Sequence, residues 1–433
     1  MEIRGLVIAA PGSGAGKTTV TLGLLRALAR RGVAVAGAKS GPDYIDPAFH
    51  KAACGRESMN LDAWAMGPEA LRARAGCEAE FLLVEGAVGA IDGAGQEAHG
   101  SAADLAATLG LPMLLVLDAG RAGASVALAP AGFRALRPDV PLAGVILNRI
   151  GSDRHARLTI AGLERADVPV FGYLRRDAGL ALPERHLGLV QAGEQPQLEA
   201  LIDAAADAVA AGIDLDALVE AARPLASATE PAPTLPPPGQ RIAIARDVAF
   251  AFAYPHLLAD WQAAGAEVLP FSPLADEAPA EDADAVYLPG GYPELHAAVL
   301  ARAERFRTGM TAARDRGARV YGECGGYMVL GRGLVDAEDK RHEMLGLLPH
   351  ATSFARRKLT LGYRLLRPQP GAPWSGSLAG HEFHYATILE EPEAPARLFA
   401  ATDADGEARP GMGLVSGNVS GSFAHVIGPA PGV

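Results

Sequence analysis

Between Pro11 and Thr18 the chain reads Pro-Gly-Ser-Gly-Ala-Gly-Lys-Thr, and these residue types at this spacing can hold a polyphosphate. Glycines let backbone N–H groups approach phosphate oxygens, and the start of a following helix adds a favourable dipole. Lys17 is spaced to reach the β- and γ-phosphates, and the Thr18 hydroxyl to ligate Mg²⁺. The first glycine of the G-x-x-x-x-G-K-[ST] pattern is Pro11 here, while Gly12, Gly14 and Gly16 are present. Mg²⁺ takes oxygen ligands and keeps several waters. Acidic candidates to complete its shell are Asp43 and Asp46 in SGPDYIDP, Glu85 in LLVEGAVGAIDG and Asp118 in VLDAG. Glu85 closes an apolar run, where a carboxylate is costly without a partner.

A second chemistry is written around Cys324. An apolar run, Arg319-Val-Tyr-Gly-Glu, enters a cysteine followed by two glycines and a helical pattern. A nucleophile on a strained strand-to-helix turn needs small neighbours, and a thiolate at a helix start has a lowered pKa. Upstream, Val286-Tyr-Leu-Pro ends in Gly290-Gly291. Backbone N–H groups there, with that of Gly325, could form an oxyanion hole. A cysteine nucleophile needs a base. His381, His384 and His425 are the candidates, the first two on an expected strand and the third after a Gly/Ser turn. Cys54 and Cys77 lack such surroundings and read as inert thiols.

These residues must be held by regular elements. Strands are expected at Leu6–Ala10, Val33–Ala38, Phe81–Glu85, Met113–Asp118 and Ala143–Asn148, with a helix from Thr18 to Arg31. Strands apolar throughout and separated by helices predict a parallel sheet covered on both faces, with ligands outside the carboxyl ends of its strands. The second half repeats the style, with strands at 241–245, 267–271, 285–288 and 319–321 and helices at 251–264 and 294–316. Five prolines between Pro231 and Pro238 mark a semi-rigid linker. The expected organisation is a nucleotide-binding domain over residues 1–225, a linker over 226–240 and a second α/β domain over 241–433.

Composition narrows the function classes. With 39 Lys and Arg against 50 Asp and Glu, the net charge of −11 argues against a nucleic-acid partner, whose affinity comes largely from phosphate neutralisation. The chain lacks an apolar stretch near the ~18 residues of a membrane helix, and its N-terminal apolar run is too short for a signal peptide. Three cysteines without a C-x-x-C pair argue against a disulfide framework and for a reducing, cytoplasmic setting.

The succession of phosphate loop, KSGPDYIDPAFH (39–50), Asn60-Leu-Asp62, VEGAVGAIDG, ILNRIGSDRH (146–155), linker and YGECGGYM closely resembles the glutamine-dependent a,c-diamide synthases of corrinoid biosynthesis over nearly the whole chain. The resemblance implies an N-terminal dethiobiotin-synthetase-like P-loop domain and a C-terminal class I glutamine amidotransferase-like domain. It implies that ATP with Mg²⁺ activates the a and c acetate carboxylates of a corrin macrocycle as acyl phosphates, and that ammonia from L-glutamine displaces the phosphate. By matching motif, Gly12, Gly14, Gly16, Lys17, Thr18, Thr19 and Asn148 bind ATP, with Asn148 reading adenine. Thr18, Asp43 and Glu85 hold the metal. Lys39, Asp43, Tyr44, Asp46 and Asp92 serve the substrate carboxylate and acyl phosphate. Cys324 is the nucleophile and His425 its base. Many such domains carry a glutamate two residues after this histidine, a position occupied here by Ile427, so the third member of the triad is left open. A homodimer is compatible with the resemblance.

Hydrogenobyrinic acid is the expected macrocycle, from an Ala- and Arg-rich composition that leans towards the late-cobalt route. Cobyrinic acid and nickel-sirohydrochlorin are the alternatives. A reading from another class is a non-catalytic ATP switch with a degenerate amidotransferase domain. An acidic protein that binds anions must concentrate cations locally. Arg175-Arg176 and Arg356-Arg357-Lys358 are the clusters that could do so, the second expected to lie before a turn containing Arg364.

Overall fold

The computed structural model describes residues 2–180, 184–185 and 188–432. The chain forms two compact units, Met1–Ala232 and Pro233–Val433.

The first unit is built on strands β1 (Arg4–Ala9), β2 (Val35–Ser40), β3 (Met59–Leu61), β4 (Phe81–Glu85), β5 (Met113–Asp118), β6 (Leu142–Ile150) and β7 (Val170–Arg175), in the spatial order β3-β2-β4-β1-β5-β6-β7. All of these neighbours pair in parallel. The short strand Arg223–Pro224 adds an antiparallel partner to β1. Leu6, Val7 and Ile8 of β1 and Leu83 and Val84 of β4 are wholly buried, as strands covered on both faces require. The chain leaves β1 into helix α1 (Lys17–Arg30), whose Val20, Leu24, Leu25 and Leu28 form one buried face at helical spacing. Helix α2 (Asp46–Cys54) follows β2 and starts with Pro47 in its first turn, where a missing N–H costs nothing. The parallel order brings the segments after β1, β2, β4, β5 and β6 to one edge, the position where open α/β sheets bind ligands.

The proline-rich segment is tethered rather than free. Leu225 N–H bonds Ile3 O and Ala226 N–H bonds Leu109 O in the first unit. In the second unit Trp374 Nε1 donates to Pro236 O at 2.9 Å.

The second unit has a mostly parallel sheet of β8 (Arg241–Ala245), β9 (Glu267–Phe271), β10 (Ala285–Leu288), β11 (Arg319–Glu323), β16 (Leu414–Ser416) and β17 (Val419–Ser422), ordered β9-β8-β10-β11-β17-β16. It also has an antiparallel sheet that sequence patterning did not anticipate. There β12 (Thr360–Pro368), β13 (Leu378–His384), β14 (Phe399–Thr402), β15 (Ala408–Met412) and β18 (His425–Pro429) run β15-β14-β12-β13-β18. The expected helix over 294–316 is divided into Ala297–Leu300 and Glu304–Asp315. Arg364 lies within β12, not in a turn.

Candidate active sites

In the first unit, a cavity of about 1180 Å³ opens at the carboxyl edge of the sheet. Gly14, Gly16, Lys17, Thr18, Thr19, Lys39, Asp43, Glu85 and Asn148 all line it. Gly16 has φ of 90°, and a Cβ there would lie 2.2 Å from Asn148 Nδ2, so the position needs glycine both for its turn and for the close approach. Asn148 Nδ2 donates to Ala15 O at 2.9 Å, which braces the loop and leaves a second amide hydrogen for a ligand. Lys17 Nζ donates to Gly12 O at 3.3 Å and also to Val88 O. Burial lowers the Lys17 pKa against the pull of Glu85. Val88, a β-branched residue, sits at φ 41°, a strained conformation beside the lysine it holds.

The register of the sheet creates the acidic part of this site. Lys39 on β2 is the direct cross-strand partner of Glu85 on β4. Lys39 Nζ lies 3.2 Å from Glu85 Oε1 and 3.9 Å from Asp43 Oδ2, and pairs closely with Asp46. Glu85 is fully buried and also accepts from Thr18 Oγ1 at 2.6 Å and meets His50 Nε2 at 2.8 Å. Burial would raise the Glu85 carboxyl, but Lys39, His50 and Thr18 outweigh it and hold it below the usual range. Asp46 goes the other way: burial and Asp43 push it up to about 8 despite Lys39. Lys39 thus meets three acidic side chains, and Lys17 also lies within electrostatic reach of Glu85 and Asp46. The site is rich in hard oxygen donors.

Among the expected substrate residues, Tyr44 is half-buried in the β2–α2 loop, and Asp92 is exposed, capping Gly89 N–H at 3.0 Å. Asp118 pairs with Arg149 at 2.5 Å. Arg175 and Arg176 line the cavity, and Arg176 donates to Gly120 O at 2.9 Å. His50 was not singled out by its residue type. Its position four residues after Asp46, on the same face of α2, is the signal that could have found it. Cys54 and Cys77 are half-buried free thiols, and burial raises that of Cys77.

In the second unit, Cys324 joins β11 to the helix Gly325–Leu330 with φ 47° and ψ −104°, a strained elbow for a non-glycine residue. Its N–H is fixed by Ser422 O at 2.8 Å. A Cβ on Gly290 would stand 2.3 Å from His425 Cε1, 2.9 Å from its Nε2 and 3.3 Å from Cys324 Cβ. Gly290 therefore packs against both His425 and Cys324, and only a hydrogen fits there. A Cβ on Gly325 would lie 3.0 Å from Gly291 N, so the two candidate oxyanion donors are neighbours. Burial raises the Cys324 thiol pKa, assisted by Glu294. Burial, with His381 and His384 nearby, lowers His425 to about 3. The resting pair is a neutral thiol and a neutral imidazole.

Of the other histidines, His381 is the cross-strand partner of His425. His384 approaches Glu382 at 3.4 Å, and Glu382 accepts from Arg364 Nε at 2.7 Å. Glu323, immediately before the cysteine, was missed. It ends an apolar strand as Glu85 does, and the same cost argument would have flagged it. Arg356, Arg357 and Lys358 are exposed between Ala351–Ser353 and β12.

Residues 6–190 match the CobQ/CobB/MinD/ParA nucleotide-binding domain, and residues 241–431 match the CobB/CobQ-like glutamine amidotransferase domain. The chain is 58% identical over 428 residues to hydrogenobyrinate a,c-diamide synthase of Rhizobium meliloti (strain 1021), covering 98% of this chain and 99% of that one. The Sinorhizobium sp. protein of the same name is 56% identical, with 98% of each chain covered. That of Mesorhizobium japonicum is 52% identical over 444 residues, covering 99% and 100%.

Proposed function

This chain belongs to the hydrogenobyrinate a,c-diamide synthase family, glutamine-dependent carbon–nitrogen ligases of cobalamin biosynthesis, and we propose that its substrate is metal-free hydrogenobyrinic acid, amidated at the a and c acetates with ATP, Mg²⁺ and L-glutamine. The observation that carries the reading is the pairing of two separate chemistries in one chain: a phosphate loop facing buried carboxylates, and a cysteine elbow against His425 across Gly290.

A carboxylate is a poor acyl donor, so it must be activated before ammonia can displace anything. In the first unit Lys17 exchanges Val88 O for phosphate oxygens, and Asn148 offers its free amide hydrogen to adenine. Thr18, Asp43 and Glu85 would hold Mg²⁺, which when bound would supply positive charge facing the phosphates. Lys39, Tyr44, Asp46 and Asp92 orient the substrate carboxylate and its acyl phosphate. In the second unit His425 Nε2 accepts the thiol proton as Sγ attacks the glutamine carboxamide carbon. Gly290, Gly291 and Gly325 backbone N–H groups meet the developing oxyanion. The imidazolium returns its proton to the departing ammonia, and water then cleaves the glutamyl thioester. Among the described residues no helix is long and apolar enough to cross a membrane, and the free cysteines suit the reducing cytoplasm.

The test has two parts. Cys324→Ser should abolish glutamine-driven amidation and retain turnover with ammonium salts. Retained glutamine use refutes the nucleophile. Side by side, metal-free hydrogenobyrinic acid should be amidated and cobalt-containing cobyrinic acid should not. The reverse preference refutes the substrate.

A further inference from the structure

Position 427, where a triad glutamate is expected, is a fully buried isoleucine whose carbonyl meets His256 Nε2 at 2.7 Å. A carboxylate nevertheless reaches His425 from another element. Glu323 Oε2, on the last residue of β11, lies 3.7 Å from His425 Nδ1, with both side chains 1% exposed. Nε2 lies 2.9 Å from where a Gly290 Cβ would stand, and Nδ1 is the nitrogen that Glu323 approaches. Glu323 is itself fixed on three sides. Its Oε2 accepts from Tyr287 Oη at 2.7 Å, and its Oε1 accepts from Tyr321 Oη at 3.1 Å and from Val426 N–H at 3.1 Å. The bond from Val426 ties the carboxylate to the residue next to His425.

We infer that Glu323 is the positioning residue of the glutaminase site, supplying from the nucleophile's own strand the carboxylate that Ile427 lacks. This rests on Cys324 and His425 acting as described above. When Sγ–H gives its proton to Nε2, the imidazolium forms in a buried space also faced by His381 and His384. Glu323 offsets that charge, accepts from Nδ1–H and takes no proton itself, the role of the orienting carboxylate in other nucleophile–histidine pairs. The 3.7 Å gap exceeds a hydrogen bond, and such contacts commonly tighten only when substrate is bound. Burial pushes the Glu323 carboxyl up to about 7, against its three donors, and the imidazolium that forms during proton transfer favours its ionised form. Glu294, Glu382 and Glu323 all raise the Cys324 pKa, and the contact with His425 belongs to Glu323.

Glu323→Gln keeps the shape and removes the charge. Glutamine-driven kcat should fall about 10²-fold or more with KM for glutamine little changed, while ammonium-driven amidation stays at the wild-type rate. The pH midpoint for iodoacetamide alkylation of Cys324, followed by peptide mass, should fall, because Glu323 is one of the carboxylates that raise the pKa of the neutral thiol. Wild-type glutamine turnover with an unmoved midpoint overturns the assignment. So does an equal loss of both activities, which would make Glu323 a fold residue. Should Glu323→Gln yield no folded protein, Glu323→Asp carries the test, with the same split at smaller size. Cys324→Ser, assayed alongside, separates the two failures: if it keeps glutamine turnover, the underlying reading falls too.

Discussion

Lys39 pairs with Asp46 and Glu85 and lies 3.9 Å from Asp43, and Lys39→Met tests whether it holds that part of the sheet together. At an effective dielectric of ~20, one unit charge 3.2 Å away, the Lys39–Glu85 separation, interacts by about 5 kcal/mol before desolvation is counted. Much of this offsets the cost of burying the ammonium, which burial alone would deprotonate; Asp46, Glu85 and Asp43 instead raise its pKa. Removing one partner of a buried pair and stranding the other costs ~3–5 kcal/mol. Lys39→Met should therefore destabilise the first unit by about that amount near pH 7. Native-state hydrogen exchange, read by mass spectrometry at the β2 and β4 peptides, isolates this unit within the intact chain. The companion variant supplies the sign. Lys39→Met with Glu85→Gln removes the stranded charge and should be more stable than Lys39→Met alone. A loss under ~1 kcal/mol, or a double variant weaker than the single one, would refute the view that Lys39 neutralises this cluster.

Three further outcomes are expected. Gly290→Ala puts a methyl 2.3 Å from His425 Cε1, so glutamine-driven amidation should drop at least ~10²-fold while ammonium-driven turnover persists; equal loss of both would place Gly290 outside the glutaminase site. Buried His350, His381 and His425 have folded pKa values lowered by burial to about 4, 3 and 3, so their contribution is full above pH ~6.5 and is lost as pH falls towards those values. Glu323, raised to about 7, acts in the opposite sense, gaining stability as pH falls from there to ~4.5. With three groups against one, the second unit should lose roughly 3 kcal/mol between pH 7 and 5, measured by urea unfolding through Trp261 and Trp374 in a Trp64→Phe background; rising stability over that range would contradict the assignment of neutral buried histidines. Reversing the charges of the exposed Arg356 and Arg357 to glutamate should raise KM for the macrocycle and spare glutaminase activity, whereas an unchanged KM returns them to a solvated surface.

The chemistry was legible wherever short sequence carries it. The glycine-rich turn into α1, the GPDYIDP acids and the small-residue elbow at Cys324 each need particular residue types at fixed spacing, because backbone must approach phosphate or substrate. The parallel sheet of the first unit was legible for a related reason: strands buried on both faces read as unbroken apolar runs. The antiparallel sheet of the second unit was not. Its strand β12 mixes half-buried and exposed residues, and β15 is exposed almost throughout, so neither presents a clean period. What sequence could not decide at all was which charged side chains meet. Lys39 and Glu85 lie 46 positions apart and face each other only because β2 and β4 pair in one register. Glu323 and His425 lie 102 apart in the sequence and meet only because β11, β17 and β18 converge beside the elbow. Electrostatic partnership depends on distances of a few ångströms and on burial, and both are properties of the folded chain. The sequence by itself determined which two chemistries its motifs could carry; the tertiary structure decided which charged side chains lie close enough to meet.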